Sequence, residues 1–510
     1  MNNRNKKIIG IAIIVAAVLI IVGVFAYLEF YNVEEKAEED EIVEEVVDDR
    51  ISPLADQAVF LEVNRIRKKG IEEVMRKIGR AWKEKPSYHF VAVLNTDGVW
   101  TSHKINTWDT EYIGWETFRD VEDEQEKCDI EFKIVETRRK LFSTYEEEIE
   151  GFHIIYDFKT GRWTGDDSFN DSDGYGHYNG ENYEVWFDVH QTDYDGDCIP
   201  YWTEMNILHT DPKVDDSHLD PDGDDVPTAW EWKWGYDPFV YDNHSRIDPE
   251  KDGLSNVVEY SLEKWLADPY QQEVYIEADF MEKGPGLFAH EHVFWEESQQ
   301  IMMDNFNAHG ITVHIDDGCM GGGGEYLRYI EDYIGQASGV ASEFYKFHFA
   351  DDRKDVFHYV FMCHSGGWCH PQDYKLRYDV VSVPSSYEHS LIAYFPPAIT
   401  PRLERLAVAV GVMHEMGHSL GLMPAYCQGI DNSTYVMRND LPLLQKLKAS
   451  KEAAKYWDDY ESCMNYAKFK RYVTDYSDGT HGPRDCDDWS HLDLTYFQKP
   501  STDSMEGIRG

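Results

Sequence analysis

The sequence predicts a multidomain chain with an N-terminal transmembrane helix, an α+β domain, a block of acidic loops and a C-terminal α/β domain. Three observations support this prediction: a long uncharged run near the N-terminus, an acidic pattern that occurs three times, and strand and helix signals that alternate after residue 271. With 510 residues, the chain has room for about two to four domains. We place the segments at residues 1–29, 30–50, 51–190, 191–270 and 271–510.

Acidic residues outnumber basic residues two to one. The chain has 96 Asp and Glu against 48 Lys and Arg, a formal net charge of −48. Nucleic-acid binding needs a basic surface, so this balance argues against a nucleic-acid partner. The same balance suits cation binding, and it also keeps a protein soluble.

The first segment has the features of a membrane anchor. Ile8 to Leu28 are 21 consecutive residues without a charge, and a spanning helix needs about 20. Basic residues cluster before this run, and an acidic stalk follows at 30–50. The positive-inside rule then places the N-terminus in the cytoplasm. We therefore expect a single-pass protein of the cell membrane whose C-terminal domains are extracellular.

Residues 51–190 combine a helix signal with strand signals. Apolar residues between Leu54 and Trp82 recur at helical spacing. We expect an α+β domain of unknown role, because no residue pattern in it indicates chemistry. Four later runs rich in β-branched and aromatic residues predict strands at His89–Leu94, Ile130–Val135, Phe152–Phe158 and Tyr183–Val189.

Residues 191–270 contain three acidic loops in one register. Each has acidic residues at positions 1, 3, 5 and 12 of a twelve-residue frame: Asp193, Asp195, Asp197, Glu204; Asp220, Asp222, Asp224, Glu231; Asp248, Glu250, Asp252, Glu259. Calcium takes about six to eight oxygen ligands, which such a loop supplies. We therefore predict Ca²⁺ sites; solvated acidic turns are the alternative. The loops resemble thrombospondin type 3 repeats and, more loosely, EF-hand loops, although Gly196 and Gly223 lie at position 4 instead of 6.

The C-terminal segment alternates strand and helix signals. Helices are predicted at His290–His309 and Glu325–Phe347, and a third begins at Thr400, with Pro401 at its first position and Gly421 as its stop. The predicted strands are Glu273–Phe280, Gly310–Ile315, Phe357–Met362 and Tyr378–Val383.

The third of these helices carries the strongest chemical signal. His414 and His418 are four residues apart, so both imidazoles lie on one face and can bind one zinc ion. Glu415 lies beside the first histidine, where it can act as a general base. A chance match is the alternative, since the pattern H-E-x-x-H is short and the chain holds 21 histidines.

A longer pattern strengthens this interpretation. His414-Glu-x-x-His418-x-x-Gly421, followed by Cys463-Met464-Asn465-Tyr466, resembles the metzincin zinc metallopeptidases. With the acidic loops and the apolar N-terminus, the chain is similar to archaeal membrane-anchored members. The resemblance implies an α/β metzincin-like protease domain, with Met464 in a methionine turn beneath the metal. It also implies that Tyr466 approaches the zinc and that Trp489–Phe497 forms a C-terminal helix.

The sequence departs from that family at the third zinc ligand. A histidine is expected at position 424, where this chain has Pro424. We favour Asp431 instead, because carboxylate is an ordinary zinc ligand and the loop is near enough to fold back. A turn residue is the alternative for Asp431. The other candidate ligands are Cys427, Asp475, His481 and His491.

Eight cysteines are few for a disulfide scaffold, but the count is even, and some should pair if the chain faces an oxidising space. Cys363 and Cys369 bracket a Gly-rich loop and predict a disulfide; a zinc site with His364 and His370 is the alternative. A second disulfide between Cys427 and Cys463 would tie the loop after the zinc helix to the segment that contains Met464.

These patterns predict an outward-facing zinc endopeptidase that hydrolyses peptide bonds through a zinc-activated water. Glu415 is the predicted base, and Tyr466 the donor to the developing oxyanion. The expected cofactors are Zn²⁺ and Ca²⁺. The expected partners are the membrane and a protein or peptide substrate, which would add as a strand beside Tyr378–Val383. The alternative function is a non-catalytic, calcium-dependent surface binding or adhesion protein on a degenerate protease fold.

Overall fold

The computed structural model describes the chain from residue 54 to residue 498, with gaps. Pro53–Gly510 form one compact unit. The described residues are 54–77, 84–140, 142–169, 174–286, 289–334, 339–354, 356–366, 368–370, 380–384, 400–432, 442–469 and 471–498.

No helix within these ranges is long and apolar enough to cross a membrane. The expected fold class, with its N-terminal transmembrane helix, and the expected single-pass membrane localisation are therefore corrected. The run from Ile8 to Leu28, on which both expectations rested, lies outside the described residues.

The region predicted to be α+β is built almost wholly from two antiparallel sheets. The first has the order β4-β1-β9-β8, and the second β3-β2-β5-β6-β7. The strands are β1 Ala58–Lys68, β2 Tyr88–Leu94, β3 Gly98–Thr101, β4 Glu111–Asp120, β5 Lys127–Arg139, β6 Thr144–Asp157, β7 Arg162–Gly165, β8 Gly176–Asn179 and β9 Tyr183–Gln191. All four predicted strands are confirmed in β2, β5, β6 and β9, although β6 ends at Asp157, one residue before the predicted end.

The helix predicted from Leu54 onward is wrong over its first half. Ala58–Lys68 form β1, and within the described residues of that stretch the helix is confined to Ile71–Arg76 (α1). In β1 the side chains of Val59, Leu61 and Val63 are buried, and those of Phe60, Glu62 and Asn64 are partly exposed. This is the two-residue period of a strand. Apolar residues four apart fit a helix and a strand equally, and pairing with β4 and β9 decides for the strand.

The two sheets enclose one aromatic core. Phe152 stacks on Phe132 of the same sheet at 4.8 Å between ring centroids and on Phe187 of the other sheet at 4.4 Å. Phe90 adds a third contact, with Phe132, at 5.3 Å. Burial of these rings explains the enrichment of aromatic residues in the predicted strands.

Strand β1 also joins the two antiparallel sheets to the C-terminal region through two buried arginines. Arg65 donates to the carbonyl of Val313 at 3.0 Å. Arg67 pairs with Glu184 of β9 and, at 2.7 Å, with Asp304. A buried guanidinium is stable only when it is paired, so these contacts specify the docking of the two regions.

The three acidic loops each lead into a short helical segment. The first enters Tyr201–Thr203 and a π-helical turn, Glu204–Leu208; the second enters Thr228–Lys233 (α2); the third enters Asn256–Leu262 (α3) and a 3₁₀ turn, Glu263–Trp265.

The C-terminal sheet is mainly parallel and has the order β11-β10-β13-β15-β14, with β12 also beside β10. Among the described strands of this sheet, only β14 runs antiparallel to its neighbour. The strands are β10 Gln272–Met281, β11 Ile311–Asp316, β12 Tyr326–Leu327, β13 Phe357–Cys363, β14 Trp368–His370 and β15 Val380–Pro384.

The strand that was expected to receive substrate is not at an edge. Strand β15, which overlaps the predicted Tyr378–Val383, pairs with β13 on one side and β14 on the other. Both of its hydrogen-bonding edges are therefore occupied, so an extended peptide cannot add to it, and that prediction is wrong.

The helices of this region differ from the predictions mainly at their ends. The first begins at Glu296 instead of His290, and the second is helical only over Val340–Phe347 among its described residues. The expected C-terminal helix is wrong, since that stretch holds only the 3₁₀ turns Trp489–His491 and Tyr496–Gln498. Another 3₁₀ turn spans Asp351–Arg353. The helices are α4 Glu296–Asn307, α5 Val340–Phe347, α6 Thr400–Ser419, α7 Leu443–Tyr456 and α8 Tyr466–Phe469.

Candidate metal centres

Helix α6 holds the two histidines of the H-E-x-x-H pattern in its buried part. His414 is 1% exposed and Glu415 4%. Nδ1 of His414 donates to the carbonyl of Cys463 at 3.0 Å, and Nδ1 of His418 to the carbonyl of Leu422 at 2.7 Å. A carbonyl can only accept, so Nδ1 carries a proton in both rings, and Nε2 is the nitrogen that would bind a metal in place of a second proton.

Asp431 completes a three-ligand cluster with these nitrogens. Its Oδ1 lies 3.2 Å from Nε2 of His414, and its Oδ2 lies 3.4 Å from Nε2 of His418. Ligands about 2.0–2.1 Å from a tetrahedral zinc are about 3.3 Å from one another. The spacing and the chemistry of the donors therefore fit zinc.

The position of Asp431 depends on a tight turn. Its backbone has φ of 52°, and its N–H donates to the carbonyl of Met464 at 3.1 Å. Asp is among the residues that tolerate this left-handed conformation. The turn interpretation of Asp431 and the ligand interpretation are thus compatible.

The other candidates for the third ligand are engaged elsewhere. Cys427 forms a disulfide with Cys486. The side chain of Asp475 accepts from the N–H of Tyr476 at 2.8 Å, that of His481 contacts Asp485 at 2.9 Å, and that of His491 stacks on Tyr426. Among the five candidates, all of which are described residues, only Asp431 is grouped with both His414 and His418.

The methionine segment lies against the zinc helix. Met464 is buried, and its Sδ lies 2.6 Å from where a Cβ on Gly417 would be. Only a glycine at position 417 therefore leaves room for this contact. The ring of Tyr466 stacks on His414 with a 5.2 Å separation between centroids, and burial followed by the charge of Asp431 raises the pKa of its hydroxyl. Tyr466 thus lies beside the predicted ligands, as the resemblance implies.

Asp431 and His414 shift each other's pKa values in this cluster. Burial raises the pKa of Asp431, but hydrogen bonds from His414 and His418 outweigh it and hold the pKa well below its usual range. Burial lowers the pKa of His414, and the hydrogen bond with Asp431 and the charge of Glu415 raise it to about 9. The carboxylate therefore needs positive charge beside it, which a metal ion or a proton supplies.

The disulfide differs from the pairing we expected. Cys427 pairs with Cys486, and the thiol of Cys463 is buried and reduced. The predicted bond between Cys427 and Cys463 is therefore wrong. The predicted bond between Cys363 and Cys369 stays a prediction, because the side chain of Cys369 lies outside the described residues.

The acidic loops share one hydrogen-bond pattern. At position 5, Asp197, Asp224 and Asp252 each accept from the N–H two residues later, at 2.8, 3.4 and 2.8 Å. The position-1 aspartates accept from N–H groups three to five residues later. The residue at position 7 is apolar and buried in every loop: Ile199, Val226 and Leu254. The repeat in sequence is therefore also a repeat in structure.

The backbone conformation explains why glycine lies at position 4 in two loops and at position 6 in the third. Positions 4 and 6 both have positive φ in all three loops: Gly196 and Cys198, Gly223 and Asp225, Lys251 and Gly253. Each loop needs two left-handed residues and places glycine at one of them. A glycine at position 4 is therefore compatible with the same loop path as a glycine at position 6.

Carboxylate oxygens inside the loops are buried without hydrogen-bond partners in the described part of the chain. This holds for both oxygens of Asp195, Asp222 and Glu250, at position 3, and of Glu231 and Glu259, at position 12. Burying unpaired carboxylates is costly, and like charges at close range repel. A divalent cation with oxygen preference offsets both effects, so these loops fit calcium.

The structure adds residues that the repeat pattern missed. Nε2 of His244 lies 3.3 Å from Asp224 and 3.6 Å from Glu231. The amide of Asn256 donates to Nδ1 of His244 at 2.8 Å, so Nε2 carries the proton and faces the carboxylates. In the third loop, Glu273 of β10 joins the cluster, and its N–H donates to Asp252 at 2.9 Å. Both residues lie outside the twelve-residue frames.

The loop carboxyls have raised pKa values. Burial, followed by the charges of neighbouring carboxylates, raises the pKa of Glu231 to about 8 and of Glu250 to about 10. Burial and the charge of Glu273 raise the pKa of Glu259 well above its ordinary value. These groups resist ionisation unless a cation is bound, so cation binding and ionisation are coupled.

Comparisons with known proteins leave the family unassigned. No protein-family model matches the chain, and no curated protein matches it significantly. Human GIVD cytosolic phospholipase A2 is similar with a TM-score of 0.18 and 10% identity, over 27% of this chain and 16% of that chain. A C2 domain of plant extended synaptotagmin 1 has a TM-score of 0.16 and 9% identity, over 28% of this chain and 97% of that one. At these TM-scores, neither likeness carries an argument about fold or function.

Proposed function

We propose that this protein is a zinc-dependent endopeptidase of the H-E-x-x-H type. The observation that carries the proposal is the convergence of His414, His418 and Asp431, whose ligand atoms all lie within 4.8 Å of one another. The backbone carbonyls behind both histidines set the tautomer that a metal ligand requires. The reaction is inferred from the resemblance to metzincin-type peptidases.

His414, His418 and Asp431 would hold the metal, with Asp431 replacing the histidine that is absent at Pro424. When bound, Zn²⁺ supplies a Lewis acid that polarises a carbonyl and lowers the pKa of water to about 7. Glu415 adjoins His414 on the same helix and takes the proton of the attacking water, then passes it to the leaving amine. Tyr466 would donate to the developing oxyanion; its ring stacks on His414, beside the proposed ligands.

Calcium in the acidic loops would have a structural role in this function. The third loop is joined to β10 through Glu273, and β10 runs beside β13 in the sheet that underlies helix α6. Calcium bound in this loop would thus stabilise β10, and through β10 the sheet. The proposal therefore assigns calcium to stability and zinc to catalysis.

Separating zinc binding from proton transfer tests this proposal. Glu415→Gln should retain zinc and lose turnover by about two to four orders of magnitude, because the base is gone and the ligands remain. His418→Ala and Asp431→Ala should each lose one zinc per chain and lose turnover with it. Asp97→Ala is the matched control for Asp431→Ala, because Asp97 is an exposed aspartate that pairs with Arg119. Zinc content by plasma mass spectrometry and cleavage of a broad peptide library give the two readouts.

Three outcomes would contradict the proposal. Unchanged cleavage by Glu415→Gln would refute the role of Glu415. Zinc content in Asp431→Ala equal to that of Asp97→Ala would exclude Asp431 as a ligand. Stoichiometric zinc without cleavage of any peptide would favour the alternative, a non-catalytic calcium-dependent binding protein.

A further inference from the structure

Three histidines that lie outside the H-E-x-x-H pattern meet at one end of the C-terminal sheet. His290, His292 and His364 each offer a ring nitrogen, and these atoms all lie within 4.8 Å of one another. The ring centroids are 4.8 Å apart for His290 and His292, 5.2 Å for His290 and His364, and 5.5 Å for His292 and His364. Such mutual spacing of three imidazoles is what a shared metal ion requires.

The topology explains how residues far apart in sequence come together. Strands β10 and β13 are parallel neighbours, with Phe280 opposite Met362, and they end at Met281 and Cys363. His364 directly follows β13. His290 and His292 lie between β10 and helix α4, and His292 contacts the carbonyl of Met281, the last residue of β10. The carboxyl edge of a parallel sheet is where α/β proteins commonly bind ligands.

His292 is held in the tautomer that a metal ligand needs. It is buried, and its Nδ1 donates to the carbonyl of Met281 at 3.1 Å. The proton is therefore on Nδ1, and Nε2 has a lone pair. That Nε2 lies 3.3 Å from Nδ1 of His364, which matches the distance of about 3.3 Å between nitrogen ligands of a tetrahedral zinc.

The donor set selects the class of cation. Three imidazoles suit Zn²⁺, Cu²⁺ or Ni²⁺, whereas Ca²⁺ and Mg²⁺ prefer oxygen ligands. Three protein ligands also leave a fourth position for water or another small ligand. We propose that His290, His292 and His364 form a second transition-metal site, separate from the one at His414, His418 and Asp431.

Metal stoichiometry tests this proposal without any assay of peptidase activity. The protein is equilibrated with Zn²⁺ in excess Ca²⁺, which fills the acidic loops, and bound zinc is measured by plasma mass spectrometry. The wild type should bind one zinc more than a variant with His290→Ala and His364→Ala. Because both side chains are only partly buried, the substitutions should leave the fold intact. His153→Ala is the control, a half-exposed histidine of β6 that contacts Asp129.

A second measurement isolates the new site from the first. In a His414→Ala, His418→Ala background, Co²⁺ should give the visible absorption of a low-symmetry nitrogen-ligated site, and adding His364→Ala should abolish it. Zn²⁺ should also raise the Tm of the background variant and not of the triple variant, because a metal that binds only the folded state stabilises it.

The failure of this proposal is distinguishable from the failure of the peptidase proposal. If the triple variant keeps the Co²⁺ spectrum and the zinc-dependent Tm of its background, the three histidines are a hydrogen-bonded cluster without a metal. If the background variant binds no Zn²⁺ or Co²⁺, the second site is also refuted, whatever the wild type cleaves.

Discussion

Substitution of Glu231 by Gln should change stability in opposite directions with and without calcium. Glu231 is buried, and neither of its oxygens has a hydrogen-bond partner among the described residues. Burial and the charges of Asp224, Asp222 and Asp220 raise its pKa to about 8. In calcium-free protein at pH 8, Glu231→Gln removes a charge that the fold tolerates poorly and should raise the Tm. In calcium-bound protein the same substitution removes a ligand and should lower the Tm.

The pH dependence follows from the direction of that shift. Between the ordinary pKa of 4.5 and about 8, folded Glu231 retains a proton that the unfolded chain has lost. The folded state binds more protons, so the free energy of unfolding falls as pH rises through this window. A shift from 4.5 to about 8 in this buried group corresponds to on the order of 5 kcal/mol. Calcium-free protein should therefore melt at a higher temperature at pH 5 than at pH 8, and calcium should reduce the difference.

The number of loops gives the free energy by which calcium should stabilise the folded protein. A cation at 100 times its Kd that binds only the folded state adds about 2.7 kcal/mol per site, so three sites add about 8 kcal/mol. At about 2 °C for each kcal/mol in a large domain, the Tm should rise by about 15 °C. Scanning calorimetry in EDTA and in Ca²⁺ measures both effects.

A matched control separates the loop from general charge effects. Glu147→Gln alters a half-exposed glutamate that pairs with Arg138, and it should change the Tm by less than about 1 °C under either condition. The reasoning is refuted if Glu231→Gln shifts the Tm in the same direction with and without Ca²⁺. It is refuted equally if Ca²⁺ at millimolar concentration leaves the Tm of the wild type unchanged.

Two further predictions concern the framework. Arg67→Ala should lower the free energy of unfolding by about 3–5 kcal/mol, because it removes the guanidinium that pairs with buried Glu184. Urea denaturation measures this, with the partly exposed Arg119→Ala as control, and a loss under about 1 kcal/mol would contradict it. Converting Cys427 and Cys486 to Ser should cost about 4 kcal/mol for a sequence separation of 59. Disulfide reduction should destabilise the wild type by a similar amount and leave the double variant unaffected.

The sequence by itself determined the features that depend on local spacing. His414 and His418 are four residues apart on one helix, so the helical period alone brings their side chains together, and Glu415 adjoins the first of them. The acidic loops are local in the same sense, since each frame is twelve residues long. The strands β2, β5, β6 and β9 were also predictable, because runs of β-branched and aromatic residues recur in each.

Only the tertiary structure decided the contacts between distant segments. Asp431 competed with four other candidates until the turn beside Met464 brought it to His414 and His418. His292 and His364 are 72 residues apart and meet only because β10 and β13 end side by side. The helical spacing read between Leu54 and Trp82 failed for the same reason, because pairing of β1 with β4 and β9 stabilises a strand. Such pairings depend on chain closure over long distances, which no local pattern records.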